Sequence, residues 1–423
     1  MTTITQPRAK RRSERYEREV ARTAYTYILP AALIMAVINF FPLIYQFWMS
    51  FTDFSNLNLR TTNIFGQILG SFIPALKDKY NSPNLVDISN YASVLLNSLS
   101  KILSGFDFWR ILTFNLTWTF SQVLFHVVLG VLIAMLLNAN GLWLKKIYRA
   151  LFIIPWAMPS LVSAMVWKNM FDEQSGSVNL VLNALGISKG LRWLQQIDPP
   201  FASIPPFVRL PEGSNPWLAL LVFLILLIAP LFIRKVRQRL WLIIPWAILL
   251  QILFALPVWG PNAVTGSLGE LFPLSFYAVS IANIWLGWPF MMTVATGALQ
   301  GISKDLYEAA AIDGANGWQT FWRITVPLIR PAMVPAIMIG IMQTFNQFNV
   351  IYFITGGGPL HQTEILVTQA YRFVNETSIN VGGTGSVRPY AVAAAFSYIV
   401  FAVLAVITLI TNKISRATEA YSD

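Results

Sequence analysis

Eight apolar blocks punctuate this sequence, at about 25–50, 111–138, 147–168, 217–233, 240–258, 277–300, 331–355 and 391–411. A helix needs roughly 17 to 25 residues to cross a bilayer. Inside hydrocarbon, every backbone N–H and C=O must be bonded within its own segment, so single spans of this length are helices. The expected fold is therefore all-α, an integral membrane protein with about eight transmembrane helices. Only 12% of the residues are charged, against roughly a quarter in soluble domains. The mean hydropathy is +0.56. The first block is longer than the ~7–15 residue apolar stretch of a cleaved secretory leader and reads as a retained anchor. Prolines within blocks, as in Ile154-Pro155-Trp156-Ala157-Met158-Pro159, are tolerated where neighbouring helices satisfy the freed carbonyls.

Charge placement sets the expected orientation. The segments 1–24, 139–149, 234–239, 301–330 and 412–423 hold 19 of the 30 Lys and Arg but 8 of the 19 Asp and Glu. The alternate, longer segments balance basic and acidic residues, so the whole excess of +11 lies on one side. By the positive-inside rule that side is cytoplasmic, with both termini. The cluster Arg234, Lys235, Arg237, Arg239 is the sharpest marker. The resulting division is a basic cytoplasmic N-terminus (1–24), a first anchor (25–50) and an external loop (51–110). A main membrane domain (111–411) follows, with a helix pair at about 217–258, and then a cytoplasmic tail (412–423). Further outer loops are expected at 169–216, 259–276 and 356–390. A basic excess spread between membrane blocks does not point to nucleic acid.

With no cysteine, disulfides and thiolate metal sites are excluded. Two histidines, His126 and His361, give little material for a metal or catalytic centre. No candidate span contains an acidic residue, which disfavours an ion-coupled carrier, since such carriers use buried acidic groups for coupling. Paired carboxylates and nucleophile–base sets at membrane depth are also missing, against a membrane-embedded enzyme.

The most informative inner segment is 301–330. Asp305 to Ala311 reads as a short helix, acidic at its start and rich in alanine. Gly314 suits a left-handed cap, and a second short helix leads to Pro327. Small residues on an exposed helix–turn–helix allow another protein to approach closely. Glu308-Ala309-Ala310, Gly314, Ile324 and Pro327, with Asp313 before the glycine and Val326 where leucine is usual, resemble the signature of permease subunits of ATP-binding-cassette (ABC) importers. Thr355-Gly356-Gly357-Gly358-Pro359 and Trp285-Leu286-Gly287-Trp288-Pro289 resemble the carbohydrate-uptake branch of that family, in particular the larger maltose/maltodextrin-type subunit. The likeness covers about 111–200 and 277–411 and does not extend to 200–275.

That resemblance implies a permease core with a cytoplasmic coupling helix. Glu308, Ala309, Ala310, Asp313 and Gly314 would dock on a separate ATPase, with Glu308 facing a basic residue and Gly314 permitting the turn. It also implies four companions: a second permease in a heterodimer, two ATPase subunits and an external solute-binding protein. The chain has no G-x-x-x-x-G-K-[ST] phosphate loop, so ATP and Mg belong to the partners and no cofactor is expected here.

The polar stretch Gln343 to Asn349 lies inside a span, where amides are costly unless they face a cavity or partner helices. Interhelical amide hydrogen bonds are the plainer reading of any one of these residues. Sugars call for amides opposite their hydroxyls and aromatic rings against their apolar faces. By the resemblance, Phe345, Asn346, Gln347 and Asn349 match a sugar-contacting stretch of maltose-type permeases. Trp285, Gly287 and Phe290 match the facing helix, with Trp118 and Gln122 closing the pocket. His126, near Gln122, fits an interhelical hydrogen bond better than a proton relay. The function so implied is import of a di- or oligosaccharide such as maltose, maltodextrin or trehalose across a prokaryotic cytoplasmic membrane.

Overall fold

The computed structural model describes residues 7–60, 63–101, 106–139, 141–185, 191–195, 273–377, 379–380 and 386–419. The expected helix pair at 217–258, its Arg234–Arg239 cluster and most of the 259–276 loop lie outside the described residues. The described chain is helical apart from a two-residue antiparallel ribbon, Ile379–Asn380 with Ser386–Val387. Its main helices are α1 (Pro7–Ser50), α2 (Ile64–Phe72), α3 (Pro74–Tyr80), α4 (Ser89–Leu95), α5 (Phe108–Asn138), α6 (Lys145–Ala157), α7 (Ser160–Met170) and α8 (Ser177–Ala184). They continue as α9 (Leu274–Gln300), α10 (Lys304–Ile312), α11 (Gly317–Thr320), α12 (Val326–Phe345), α13 (Phe348–Thr355), α14 (Leu366–Asn375) and α15 (Tyr390–Glu419).

Among the described residues five helices are long and apolar enough to cross a bilayer, and the bent pair α6–α7 makes six if it is one span. These fall on six of the eight expected blocks, and a count of eight is not established. Block 147–168 is not one straight helix: α6 and α7 meet at 92°. Two prolines account for the break. Pro155 removes a donor inside α6, and Pro159 forces Met158 into extended backbone at φ −76°, ψ 140°. Block 331–355 is also interrupted, where α12 ends at Phe345 and α13 starts at Phe348.

The chain divides into two compact units. In the first (1–98 with 373–399), Trp48, Phe54 and Ala391 form a small core. Asn90 Nδ2 donates to the carbonyls of Ser50 (2.9 Å) and Thr52 (2.8 Å), fastening the chain where it leaves α1. Tyr398 donates to the Leu43 carbonyl.

The second unit (99–372 with 400–423) is built around α5 and α9. Asp107 starts α5 by accepting from the backbone N–H of Trp109 and Arg110, the usual work of an N-cap carboxylate. Two apolar clusters flank the α5–α9 seam. One contains Phe114, Trp118, Ala282, Leu286 and Ile351. The other contains Val131, Ala134, Met291, Met292, Ala295 and Met333. The second cluster narrows at Gly130. A Cβ there would sit 2.6 Å from Met291 Cβ and 2.7 Å from the Met292 backbone nitrogen. Backbone cannot move aside as a side-chain tip can, so the residue must lack a Cβ.

Gly130→Val should therefore weaken the α5–α9 seam by about 1–3 kcal/mol, the usual cost of overpacking. It should lower the thermal unfolding midpoint of the purified protein in detergent. Gly297→Ala, on α9 with nothing within 4 Å of its Cβ, should be neutral or stabilising by about 0.5–1 kcal/mol through helix propensity. Equal midpoints for Gly130→Val and the unmodified protein would contradict the packing.

Candidate functional site

The two broken spans and α9 border a half-open cavity of about 250 Å³. Its wall takes Trp156, Met158 and Ser160 from the α6–α7 break, Gln343, Thr344 and Gln347 from the α12–α13 break, and Asn283, Gly287 and Phe290 from α9. His126 closes it from α5. A helix break frees backbone groups and turns side chains that a straight helix would point elsewhere. In a membrane protein, such breaks are tolerated where they line a polar cavity.

One side of the cavity is aromatic: Trp156 and Phe290 stack with ring centroids 5.9 Å apart and 28° between planes. The polar side is a connected network. Gln122 Nε2 donates to Ser280 Oγ (2.9 Å), and Asn283 Nδ2 donates to Gln122 Oε1 (3.3 Å). The His126 ring meets the Asn283 carbonyl through Nε2 at 3.0 Å. A carbonyl only accepts, so Nε2 carries the proton, and in the neutral ring Nδ1 is an acceptor. Gln122, Asn283 and His126 are all buried.

The structure sorts the residues expected from sequence. Gly287, Phe290 and Gln347 line the cavity. Gly287 does so for a steric reason, since its Cβ would lie 2.2 Å from His126 Cε1. Asn349 stands one layer behind, donating to Ser160 Oγ at 2.7 Å. Asn346 is exposed, and its amide donates to the Met342 carbonyl at the end of α12. Phe345 is buried, its carbonyl accepting from Asn115. Trp118 is fully buried and donates from Nε1 to the Thr344 carbonyl (3.2 Å), supporting the break from behind. Trp285 packs edge-on against Trp167. Sequence reasoning did not place Trp156, Met158, Ser160 or Asn283 on this wall. The Met158-Pro159 dipeptide was the signal that could have found the first three.

The 301–330 segment is a second built surface. Ser303 caps α10 by accepting from the Asp305 N–H. At its other end, Gly314 has φ +76°, the Gly314 N–H bonds the Ala311 carbonyl, and the Ala315 N–H bonds the Ala310 carbonyl. This is a Schellman closure. A reciprocal capping box follows at once, Asn316 with Gln319, each bond 2.9 Å. The turn is thus clamped from both sides. Tyr307 pairs with Thr325 (3.2 Å), tying α10 to the π-helical turn Phe321–Thr325 that enters α12. The free face presents Glu308, Ala309, Ala311, Ile312 and Asp313, with Ile312 86% exposed and Ala310 buried beneath. Among the described residues Glu308 has no hydrogen-bond or ion-pair partner.

After α13, Gly356 and Gly357 adopt φ +61° and +84°. Buried Glu364 accepts from Arg372 at 3.2 Å and pairs with His361 at 2.9 Å, holding this turn in place.

The model of the "Binding-protein-dependent transport system inner membrane component" family matches residues 126–416. The chain is 25% identical over 395 residues to the maltodextrin transport system permease protein MalC of Streptococcus pneumoniae, covering 92% of this chain and 68% of that one. It is 25% identical over 380 residues to the trehalose/maltose transport system permease protein MalF of Thermococcus litoralis, covering 90% and 92%. A galactooligosaccharides transport system permease protein of Bacillus subtilis is 24% identical over 375 residues, covering 86% of this chain and 66% of that protein. The fold is shared with a bacterial ABC transporter involved in import of the acidic polysaccharide alginate, at a TM-score of 0.56 and 17% identity over 95% of this chain and 99% of that one. The matched segment runs through both the cavity and the clamped turn, and the chain belongs to the family of binding-protein-dependent transport system inner-membrane components, the permease subunits of ABC importers.

Proposed function

We propose that this chain lines the translocation path for a di- or oligosaccharide of the maltose, maltodextrin or trehalose kind, and that the clamped 301–330 turn couples it to an ATPase. The observation that carries the first part is the cavity's two-sided chemistry. A stacked Trp156–Phe290 wall offers a face for the apolar side of a pyranose ring. Gln343, Gln347, Ser160 and His126 offer hydroxyl partners across from it. Its volume of about 250 Å³ is below the roughly 300–1,000 Å³ of typical small-molecule sites. A second permease subunit is needed to complete a site for two or more rings. Permeases for maltodextrin, trehalose/maltose and galactooligosaccharides among the relatives support a sugar.

In this reading the ring sits against the aromatic wall while amides replace water at its hydroxyls. Release follows when the ATPases, which hold ATP and Mg, drive the permease pair between outward- and inward-facing states. Glu308 and its small neighbours dock in a cleft on the ATPase, and an external binding protein delivers the sugar. In this reading 1–24, 301–330 and the tail lie in the cytoplasm of a prokaryotic cell and 51–110, 169–216 and 356–390 outside, an orientation that the basic excess of the first set supports.

Gln347→Leu removes a hydroxyl partner worth about 0.5–1.5 kcal/mol, so the apparent KM for sugar uptake by reconstituted complex should rise about 2- to 12-fold. Asn346→Ala, outside the cavity wall, should change it less. Unchanged KM for Gln347→Leu would place the site elsewhere.

Coupling is tested separately. Truncating one partner of a buried interfacial charge pair costs about 2–5 kcal/mol, and Glu308→Lys reverses the charge. That variant should reach the membrane at normal levels yet lose both ATPase pull-down and uptake. A Cβ at Gly314 meets nothing within 4 Å, so Gly314→Val would act only through strain of about 1–3 kcal/mol at its positive φ. An acidic substitution on the ATPase should partly rescue Glu308→Lys but not Gly314→Val. Normal ATPase binding by Glu308→Lys would remove the turn from the coupling role.

A further inference from the structure

The short helices α2 and α3 fold back on each other, and two glycines decide which face turns inward. A Cβ at Gly66 would lie 2.5 Å from the Tyr80 ring, and one at Gly70 would lie 2.1 Å from Ser82 Oγ and 3.0 Å from the Leu76 carbonyl. Gln67, buried between the glycines, donates from Nε2 to the Asn58 carbonyl at 2.6 Å. Asn63 caps α2 by accepting from the Gly66 N–H at 2.8 Å. One side of α2 is thus consumed by the hairpin itself.

The other side is apolar and bare. Phe65 is 70% exposed, Leu69 52%, Phe72 61% and Ile73 44%. Their spacing of four, then three, then one places them on a single stripe. A stripe of two phenylalanines, a leucine and an isoleucine is not left facing water without a partner.

Its neighbour identifies that partner. The Phe65 ring lies 6.4 Å from the ring of Phe41 on α1. None of the apolar window of that span is buried within the chain, so its surface faces acyl chains. The stripe on α2 continues that surface. Phe41 lies about nine residues before the end of α1, roughly 14 Å along the helix axis at 1.5 Å per residue, so the hairpin reaches well back alongside the span. Just beyond the stripe come Lys77, Lys79 and Tyr80, with Lys79 Nζ 5.3 Å from the Tyr80 ring centroid. Lysine and tyrosine are the residues that set their stems in lipid and their polar tips at the headgroups.

We propose that α2–α3 is an interfacial anchor whose partner is the phospholipid surface. It lies along the leaflet reached by the C-terminal end of α1, with Phe65, Leu69, Phe72 and Ile73 among the acyl chains and the exposed Lys79 at the phosphates. The anchor fixes the depth and tilt of the first span, and it does so whatever solute the complex carries.

The chain has no cysteine, so single fluorophores can be attached to the assembled complex at Leu69→Cys or Phe72→Cys, with Gln174→Cys in the polar turn before α8 as reference. The complexes are reconstituted in phosphatidylcholine–phosphatidylglycerol vesicles containing a lipid with a nitroxide at the fifth acyl carbon. At both stripe positions the lipid nitroxide should quench at least twofold more than at position 174, and aqueous iodide at least twofold less. Quenching at 69 and 72 equal to that at 174 by both agents would overturn the anchor. Shielding from both agents would also overturn it, by assigning the stripe to the second permease subunit.

Discussion

The close approach of α5 and α9 is the interaction on which the rest of the structure depends. Gly130 lets the α5 backbone come against Met291 and Met292, and Gly287 lets His126 of α5 press onto α9. Next to the second point, on its side away from Gly130, the buried Gln122–Ser280, Gln122–Asn283 and His126–Asn283 bonds lock the register. A membrane offers little hydrophobic drive for helix association, so close packing by small residues and interhelical hydrogen bonds must supply it. Both devices are present here. The broken helices α6–α7 and α12–α13 then pack around this fixed pair, and the cavity exists because they are broken.

Cavity and turn share a logic of clamped irregularity. At the cavity, Trp118 Nε1 holds the Thr344 carbonyl and Asn349 holds Ser160, so the two breaks are supported from behind. At the 301–330 turn, a Schellman closure and a capping box fix two successive helix ends within a few residues. Rigid placement matters at both sites. The proposed sugar wall would need fixed donors and acceptors, and the proposed docking helix a base that does not bend. Tyr307 paired with Thr325 carries the turn's orientation directly into α12, the helix whose far end lines the cavity. In the proposed function, α12 is the element that joins the two sites.

Sequence alone was a good guide to the helices and a poorer one to the wall. Six of the eight expected span positions coincide with described apolar helices, because bilayer thickness imposes a length that apolar runs must match. The turn was legible at Gly314, where the left-handed backbone restricts residue type, while the Asn316–Gln319 capping-box spacing went unread. Trp118 and Gln122 were expected to close the pocket, yet their polar atoms are spent on Thr344 and Ser280. Nothing in a linear pattern says which distant carbonyl an indole will meet. Block 147–168 looked like one span because its prolines can be tolerated in a bundle. Only the packing against α9 shows that here they turn the chain by 92° and bring Trp156 and Ser160 onto the wall.

The central claim is that sugar occupies this cavity during import. Ser160→Cys is nearly isosteric and puts the only thiol of the chain on the wall, since the native sequence has none. The most direct measurement is the rate at which a small thiol reagent modifies that residue in the assembled transporter, with and without transported sugar. The account predicts that maltodextrin or trehalose slows modification several-fold. Modification of position 160 at one unchanged rate under saturating, actively transported sugar would contradict it.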